Sequence, residues 1–309
     1  MLPIFLKTLP FFALIGLGWW AGRIRFFPEI ATEYLTRFVF FFALSAMLFR
    51  FAAELSLAEI FDPAFAVAYL IGCTAVYALV FATALMRRTS VPEAAIEAQC
   101  GVIGNTGFLG VPLLVALLGP MAAGPMLMVL TIDLIVFSSL ITLIITASKE
   151  GTLGWGIVRR LAVGLLKNPM IASMAAGIAW SATGWPLPAP AVDFLTLLGA
   201  AATPAALFAI GASLASRTAE RMSVAVWLSF AKLVLHPAAV AFAALVLIPV
   251  DRPAAGVMIA AASLPVAGNV YMLARHYGVA PQRVSASILI STAFSILTVT
   301  LVIGWIGTN

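Results

Sequence analysis

The stretch GNTGFLGVP, from Gly104 to Pro112, interrupts a long apolar segment with three glycines, an asparagine, a threonine and a proline. In a lipid environment, backbone that leaves the helix is tolerated only where neighbouring protein or a water-filled cavity supplies hydrogen bonds. A second interruption, SLPVAGN from Ser263 to Asn269, lies in the other half of the chain. Two interruptions at corresponding places are typical of the binding site of a secondary transporter built from inverted repeats. The alternative is that these glycines and prolines merely kink packed helices.

The composition places the chain in a bilayer. Hydrophobic residues make up 63% of the chain and charged residues 9%, whereas soluble domains contain about 45–50% and about 25%. The net charge is +5, but the basic residues form short clusters between apolar runs, a distribution that argues against nucleic acid as a partner. Cys73 and Cys100 lie in or beside apolar runs, which suits buried small side chains better than a disulfide or a metal site.

The apolar segments predict the fold class. Ten of them approach the roughly 20 residues that a helix needs to cross a core of about 30 Å. The largest hydrophilic connector follows the fifth, and an odd number of crossings per half gives the halves opposite orientations. We therefore predict an all-α polytopic membrane protein with ten transmembrane helices in two inverted five-helix repeats, with spans four and nine broken. The predicted spans are 4–21, 34–52, 64–86, 95–118, 121–147, 159–182, 191–214, 222–248, 254–277 and 282–306, and the predicted divisions are a first repeat (1–147), a cytoplasmic connector (148–158) and a second repeat (159–309).

Lysine and arginine in the connectors predict the orientation. Thirteen of them flank the connections from odd-numbered to even-numbered spans, and three lie on the opposite side. Because positive charge concentrates on the cytoplasmic side, both termini are expected to face away from the cytoplasm, in the inner (plasma) membrane.

The residues at the two interruptions predict an anion site. Pro112 suits the first turn of a restarted helix, and Pro265 frees a backbone carbonyl one turn earlier. Gly268 is expected to permit the bend. Helix N-termini that face the gap favour an anion such as a carboxylate, with Asn105 and Asn269 adding neutral donors and acceptors.

Ionisable side chains inside the spans are candidates for coupling or support. Asp133 in span five and Lys232 in span eight would be costly if unpaired, so both are expected to face protein or a cavity. They either pair, or one of them binds a proton or sodium ion that couples transport. His236 lies one turn after Lys232 and suits a proton relay or a hydrogen-bonded packing role. Hydroxyls that could line a cavity are those of Ser45, Thr203, Ser213, Thr131 and Ser138, although such groups often bond their own backbone.

The motif N-T-G-F-L-G-x-P at Asn105 to Pro112, with P-x-x-x-N-x-Y at Pro265 to Tyr271, resembles the auxin efflux carrier family. That family includes plant PIN carriers and bacterial malonate and malate permeases. Further similarity lies in KNPMIASMAAGI and PAALFAIGASLA, so the resemblance covers nearly the whole chain. The chain lacks the long cytoplasmic loop of typical plant PIN carriers, which fits a compact bacterial member.

The resemblance implies a scaffold of spans one, two, six and seven and a transport domain of spans three to five and eight to ten, with spans four and nine crossing. It also implies that asparagines and prolines at the crossing contact or frame a substrate carboxylate. The family usually has proline where this chain has Ser45, which puts the symmetry near the cavity in doubt. The predicted substrate-binding residues are Asn105, Thr106, Gly107, Pro112, Pro265, Gly268, Asn269 and Ser45.

The leading functional hypothesis is a secondary transporter of small organic anions, either mono- or dicarboxylates or auxin-like aromatic acids, that works by alternating access. No cofactor is expected beyond coupling to sodium ions or protons, and a homodimer through the scaffold helices stays open. The alternatives are a sodium-coupled organic-anion symporter similar to the bile acid symporters, or a membrane sensor or channel. An intramembrane enzyme is disfavoured because the two histidines lie on different spans without metal-ligand spacing.

Overall fold

The computed structural model describes residues 2–55, 62–150, 155–215 and 222–306, and all regular structure in these ranges is helical. Five π-helical turns, at Val39–Ala43, Thr106–Gly110, Asp133–Phe137, Ala231–Leu235 and Ala243–Leu247, adjoin α-helices, and a short 3₁₀ turn lies at Pro120–Ala122. The α-helices are α1 (Leu2–Arg23), α2 (Glu29–Phe38), α3 (Leu44–Glu54), α4 (Pro63–Met86), α5 (Val91–Val102), α6 (Val111–Leu118), α7 (Ala123–Ile132), α8 (Ser138–Glu150), α9 (Trp155–Leu166), α10 (Pro169–Ser181), α11 (Ala189–Ala200), α12 (Ala202–Leu214), α13 (Met222–Phe230), α14 (His236–Phe242), α15 (Arg252–Ala262), α16 (Gly268–Tyr277) and α17 (Pro281–Ile306).

Seven helical stretches in the described residues are long and apolar enough to cross a membrane. They correspond to predicted spans one, two, three, five, seven, eight and ten. The chain is therefore a multi-pass membrane protein, as its composition predicts. The seven stretches are Phe5–Arg23, Glu29–Glu54, Pro63–Met86, Pro120–Ser148, Ala189–Leu214, Met222–Leu247 and Pro281–Ile306.

The prediction of one continuous sixth span over 159–182 is wrong. The structure divides this segment into α9 and α10, which are separated at Lys167 and Asn168. The Asn168 side chain accepts a hydrogen bond of 3.0 Å from the backbone N–H of Met170 and so caps α10. Pro169 begins α10, where its missing N–H costs nothing, whereas in a helix interior it would break the hydrogen-bond ladder.

Two helix pairs pack with their backbones in contact. In the crossing of α1 with α12, a Cβ atom added to Gly18 would lie 2.1 Å from the carbonyl oxygen of Phe208, and one added to Gly211 would lie 1.9 Å from that of Ile15. The helices α3 and α10 approach in the same way, because a Cβ atom at Gly177 would lie 2.5 Å from the carbonyl oxygen of Phe49. Small residues permit such close packing in membranes, where backbones must approach to gain van der Waals contact.

A buried carboxylate in the middle of α5 is the centre of an ion-pair network. Glu97 is fully buried and forms ion pairs with both Arg87 and Arg283. Arg283, in the first turn of α17, also lies 3.3 Å from Glu93. Both arginines are among the thirteen basic residues that flank the connections from odd-numbered to even-numbered spans, but Arg283 is buried in the structure. The network therefore joins the end of α4, the start of α5 and the start of α17.

Parts of the predicted connectors lie outside the described residues. These parts are the stretch 151–154 of the connector 148–158, and the loop charges Arg217 and Arg221.

Candidate functional site

The two interrupted segments contact each other through their backbones. An antiparallel bridge joins Gly104 to Val266. The N–H of Asn105 donates a hydrogen bond of 2.8 Å to the carbonyl of Pro265, and the N–H of Ala267 donates one of 3.1 Å to the carbonyl of Ile103. We call this contact, formed by residues 103–105 and 265–267, the crossover. Each segment thus satisfies backbone groups that the other exposes where its helix ends.

A π-helical turn precedes the helix after the first interruption. The carbonyl of Asn105 accepts hydrogen bonds from the N–H groups of Leu109 (3.1 Å) and Gly110 (2.9 Å), so the π-helical turn starts at Thr106. Pro112 then lies at the second position of α6, in a helical stretch already under way. Pro112 is therefore in the first turn of an α-helix, as expected, but a π-helical turn that begins at Thr106 precedes this helix.

The second interruption leaves a helix-end carbonyl without its usual partner. In a continuing helix the carbonyl of Ala262 would accept from the N–H of Val266, but that N–H donates instead to the Ser291 hydroxyl at 3.0 Å. The Ala262 carbonyl accepts a hydrogen bond of 2.5 Å from the Lys232 amine. Pro265 has no N–H to offer, so the helix ends here and a side chain from α13–α14 completes it.

A cavity of about 1870 Å³ opens at the crossover. Six of the predicted site residues line it, and they come from both interruptions and from the π-helical turn after α7. The predicted residues Pro112, Pro265, Ser45, Lys232 and His236 do not line it. The lining residues among those predicted are Asn105, Thr106, Gly107, Gly268, Asn269 and Asp133.

Two of the predicted residues have local roles that differ from the expectation. Gly268 has no positive φ, and a Cβ atom there would meet nothing within 4 Å. The bend therefore does not need glycine at this position, and the space beside it belongs to the cavity. The Ser45 hydroxyl donates a hydrogen bond of 2.9 Å to the Phe40 carbonyl of its own helix and so does not point into the cavity. Of the other hydroxyl candidates, Ser138 and Ser213 line the cavity.

Asp133 lines the cavity and is hydrogen-bonded to side chains of two other segments. One carboxylate oxygen accepts a hydrogen bond of 2.9 Å from the Tyr69 hydroxyl, and the other accepts one of 3.3 Å from the Thr106 hydroxyl. Thr106 lies next to the crossover, and its hydroxyl is also 3.4 Å from the carbonyl of Gly104. Asp133 is almost completely buried, so these two donors take the place of water around its carboxylate.

Lys232 and His236 form a second buried cluster on the other side of Gly104. The Lys232 amine lies 3.0 Å from His236 Nδ1, and His236 Nε2 lies 3.1 Å from the Cys73 thiol. No ion pair within 4.0 Å joins Asp133 to Lys232, although both are described residues. Asp133 and Lys232 are therefore not in direct contact, because Asp133 bonds to Tyr69 and Thr106 and Lys232 bonds to the Ala262 carbonyl. Their roles in coupling or support stay a prediction.

The mouth of the cavity is basic. Arg23, the last residue of α1, Arg25 and Arg275 line the cavity and form no ion pair with another described residue. The acidic residues Glu29 and Glu33 also line it. Arg37 also lines the mouth but pairs with Glu33 at 2.6 Å. The unpaired guanidinium groups give the entrance a positive potential that attracts anions.

Several residues near the site were not identified from the sequence. Tyr69 and Cys73 look like ordinary apolar positions of span three, yet they contact Asp133 and His236. Phe40 and Phe108 stack at 6.2 Å with ring planes 2° apart, and both line the cavity. The importance of Glu97 could have been predicted from the sequence, because a carboxylate inside an apolar span is costly unless it is paired.

This combination of interrupted helices, a basic cavity and buried ionisable groups in a multi-pass protein is typical of a membrane transporter. Residues 3–303 match the family described as Membrane transport protein, and the chain belongs to this family, the auxin efflux carriers. This confirms the resemblance seen in the sequence motifs. The chain is also similar to a protein of Rhizobium meliloti (strain 1021) named "Putative malonate transporter", with 33% identity over 300 residues, covering 95% of this chain and 92% of that protein.

Proposed function

We propose that this protein is a carrier of small organic anions that works by alternating access, and that dicarboxylates such as malonate are the first substrates to test. The crossover on the wall of the cavity carries this proposal, because it brings Asn105 and Asn269 to the lining of one cavity. The name of the relative from Rhizobium meliloti supports the choice of substrate.

The N-terminus of α16 and the two amides are the proposed carboxylate site. Gly268 and Asn269 open α16 and line the cavity, and the first N–H groups of a helix have no partner within it. These groups and the positive end of the helix dipole favour a bound anion. The side chain of Asn105, across the crossover, adds a neutral donor and acceptor. Neutral groups bind a carboxylate without adding a fixed charge that would slow its release.

The inverted-repeat topology is supported by how the spans pair. In an inverted repeat, each span of the first half corresponds to the span five places later in the second half. Span one packs closely on span seven (α1 with α12), and their counterparts, spans six and two, also pack closely (α10 with α3). The broken spans four and nine exchange with each other. We propose ten spans in two repeats, 1–147 and 159–309 around the connector 148–158, with a scaffold of spans one, two, six and seven and a transport domain of the others.

The cavity is proposed to open toward the cytoplasm. Its mouth includes Arg23, Arg25 and Gln282, which belong to the connections that carry most of the positive charge. By the positive-inside rule that side is cytoplasmic, with both termini on the other side of the inner membrane. The structure then corresponds to an inward-facing state, and rocking or sliding of the transport domain against the scaffold would open the crossover to the opposite side. Dimerisation through the scaffold stays a prediction.

Binding of malonate to purified protein in detergent tests the proposal. We expect malonate to raise the melting temperature of the wild type, and Asn105→Ala and Asn269→Ala to remove this rise without changing the melting temperature of the free protein. Gln282→Ala is the matched control, because it removes an amide from the same cavity away from the crossover. An unchanged malonate effect in both asparagine variants would refute the carboxylate site.

A further inference from the structure

We propose that a pocket between the ends of spans three and eight binds the headgroup of an anionic phospholipid, and that the acyl chains lie along the apolar surface beside it. This site lies away from the crossover and does not depend on which anion the protein transports. The inference depends on the place of the pocket, on a buried donor without a partner, and on the charge at the rim.

Spans three and eight are in contact at one level and enclose a pocket at another. A Cβ atom added to Gly72 of α4 would lie 2.7 Å from the Cα atom of Val240 in α14, so the two backbones touch there. About three helical turns further along α4, a pocket of about 450 Å³ opens between the end of α4 and the first turns of α13. This volume falls within the roughly 300–1,000 Å³ that is usual for small-molecule pockets. The lining residues are Thr83, Met86, Arg87, Ser223, Val224 and Trp227.

The indole N–H of Trp227 is a buried donor without an acceptor. Its Nε1 atom is enclosed and forms no hydrogen bond within the part of the chain that the structure describes. An indole N–H can only donate, and a buried donor that stays unpaired is costly, so it indicates a bound water, ion or ligand. Because Trp227 lines the pocket, an acceptor bound in the pocket would supply the missing partner.

Two consecutive arginines place positive charge at the rim of the pocket. The Arg87 guanidinium donates from Nε to the Thr83 carbonyl at 3.3 Å and from Nη2 to Glu97. Glu97 is 0% exposed, whereas the Arg87 side chain is 36% exposed, so part of the guanidinium faces outward. Arg88 is exposed and forms no ion pair with any described residue. Guanidinium groups present several donors in a geometry that matches the oxygens of a phosphate.

The acidic side chains near this rim are already paired. Glu97 binds Arg283 as well as Arg87, and Glu93 lies 3.3 Å from Arg283. These two carboxylates balance the two arginines that they contact. Arg88 therefore leaves one net positive charge at this surface, which favours an anionic headgroup over a zwitterionic one.

The pocket lies where a membrane helix ends, at the level of lipid headgroups. Arg87 directly follows α4, which is long and apolar enough to cross a membrane. Next to the pocket the apolar side chains of Met86, Met222 and Val226 are exposed. Tryptophan is typical of this level, because its ring is apolar and its N–H is polar. A phosphate with acyl chains matches both the basic rim and the apolar surface, whereas a water-soluble anion matches only the rim.

The proposed orientation makes this the cytoplasmic leaflet, because the connections from span three to four and from span seven to eight both lie on that side. Basic pockets between membrane helices on the cytoplasmic side are suited to anionic lipid headgroups. The lipid would contact α4 and α13 together, and so would hold the ends of spans three and eight at a fixed separation. We therefore expect it to raise the stability of the protein.

Thermal melting of delipidated protein in detergent tests this site, with phosphatidylglycerol and phosphatidylcholine as the two probes. Phosphatidylglycerol should raise the melting temperature at lower concentration than phosphatidylcholine does. Trp227→Phe keeps an aromatic ring but removes the N–H, and it should need about tenfold more phosphatidylglycerol for half of the rise, the loss expected for one hydrogen bond to a charged group. Trp20→Phe is the matched control, because Trp20 is an exposed tryptophan of α1 outside the pocket. Arg88→Gln should reduce the preference for phosphatidylglycerol, and Arg87 is left intact because it belongs to the buried network.

A second measurement locates the lipid and does not depend on stability. In vesicles, brominated phosphatidylglycerol should quench the tryptophan fluorescence of the wild type more than brominated phosphatidylcholine does, and this excess should disappear in Trp227→Phe but not in Trp20→Phe. Equal effects of the two lipids, or an unchanged lipid requirement and excess quenching in Trp227→Phe, would overturn the proposal. So would an equal rise in melting temperature with soluble glycerol phosphate, or a change of oligomeric state in Trp227→Phe, which would assign the pocket to a protein contact. None of these experiments contains a transported anion, so their outcome is separate from that of the proposed carrier function.

Discussion

The backbone N–H of Asn105 lies 2.8 Å from the carbonyl oxygen of Pro265, and this hydrogen bond ties together two segments that are 160 residues apart in the chain. Both segments would expose backbone groups if they were separated, which is costly away from water. The bond therefore holds the Asn105 side chain close to the start of α16. The carboxylate site that we propose depends on this arrangement, so changes to the crossover should affect binding more than folding.

Replacing Pro265 by alanine should restore an N–H at the end of α15 and allow that helix to continue. We expect Gly268 and Asn269 to shift and malonate affinity to fall by about tenfold, equivalent to one lost contact of about 1.4 kcal/mol. The melting temperature should stay close to that of the wild type. Pro253→Ala, in the first turn of α15 where the N–H has no helical partner, is the control. Unchanged affinity in the Pro265 variant would contradict the role of the interruption.

Glu97→Gln should destabilise the protein strongly. Glu97 is 0% exposed and pairs with Arg87 and Arg283, and removing one partner of a buried pair costs about 3–5 kcal/mol. Glu54→Gln is the matched control, because Glu54 is 44% exposed and pairs only with Arg50 in the same helix. Such an exposed pair is worth about 0–1 kcal/mol. Denaturation of both variants in detergent compares the two, and equal stabilities would show that the buried network is unimportant.

Gly18→Ala should destabilise the crossing of α1 with α12. The added methyl group would lie 2.1 Å from the carbonyl oxygen of Phe208, and a backbone atom cannot move aside as a flexible side chain can. Gly16→Ala, two residues away in the same helix, has nothing within 4 Å and should be neutral or stabilising by up to about 1 kcal/mol. Thermal melting of the two variants measures the difference, and a tolerated Gly18→Ala would mean that the helices are not in close contact.

Arg275→Gln should weaken the attraction of anions to the mouth of the cavity. Arg275 lines the mouth and has no ion-pair partner among the described residues. We expect a higher KM for uptake, a smaller dependence of uptake on ionic strength, and an unchanged maximal rate. Arg252→Gln, at the start of α15 and outside the cavity lining, should have no effect. Equal salt dependence in wild type and Arg275→Gln would argue against electrostatic attraction at this entrance.

Composition and motif predicted the class of this protein well, because each helix that crosses a bilayer needs about 20 mostly apolar residues. Seven of the ten predicted spans appear as long apolar helices, and the motif around Asn105 led to the family that the comparison confirms. The break at Asn168 was not predicted because hydropathy is averaged over a window of residues, and a single proline, Pro169, hardly changes that average. The π-helical turn that begins at Thr106 was not predicted because it depends on hydrogen bonds to one carbonyl, that of Asn105.

The buried clusters were harder to predict, since they depend on which helix faces meet. Asp133, Lys232 and His236 stand out in apolar spans, but their partners Tyr69 and Cys73 do not, because a tyrosine or cysteine in an apolar run has no distinctive pattern. Whether Asp133 and Lys232 pair was left open by the sequence for the same reason, because their hydrogen-bond partners, Thr106 and the Ala262 carbonyl, come from other segments.

Counterflow of labelled malonate in proteoliposomes tests the central claim most directly. If the crossover is the carboxylate site of a carrier, vesicles loaded with unlabelled malonate should take up labelled malonate faster than empty vesicles. The uptake should saturate, and the double variant Asn105→Ala, Asn269→Ala should abolish the acceleration while reconstituting normally. Acceleration of the same size in that double variant, or a flux that neither saturates nor responds to internal malonate, would contradict the account.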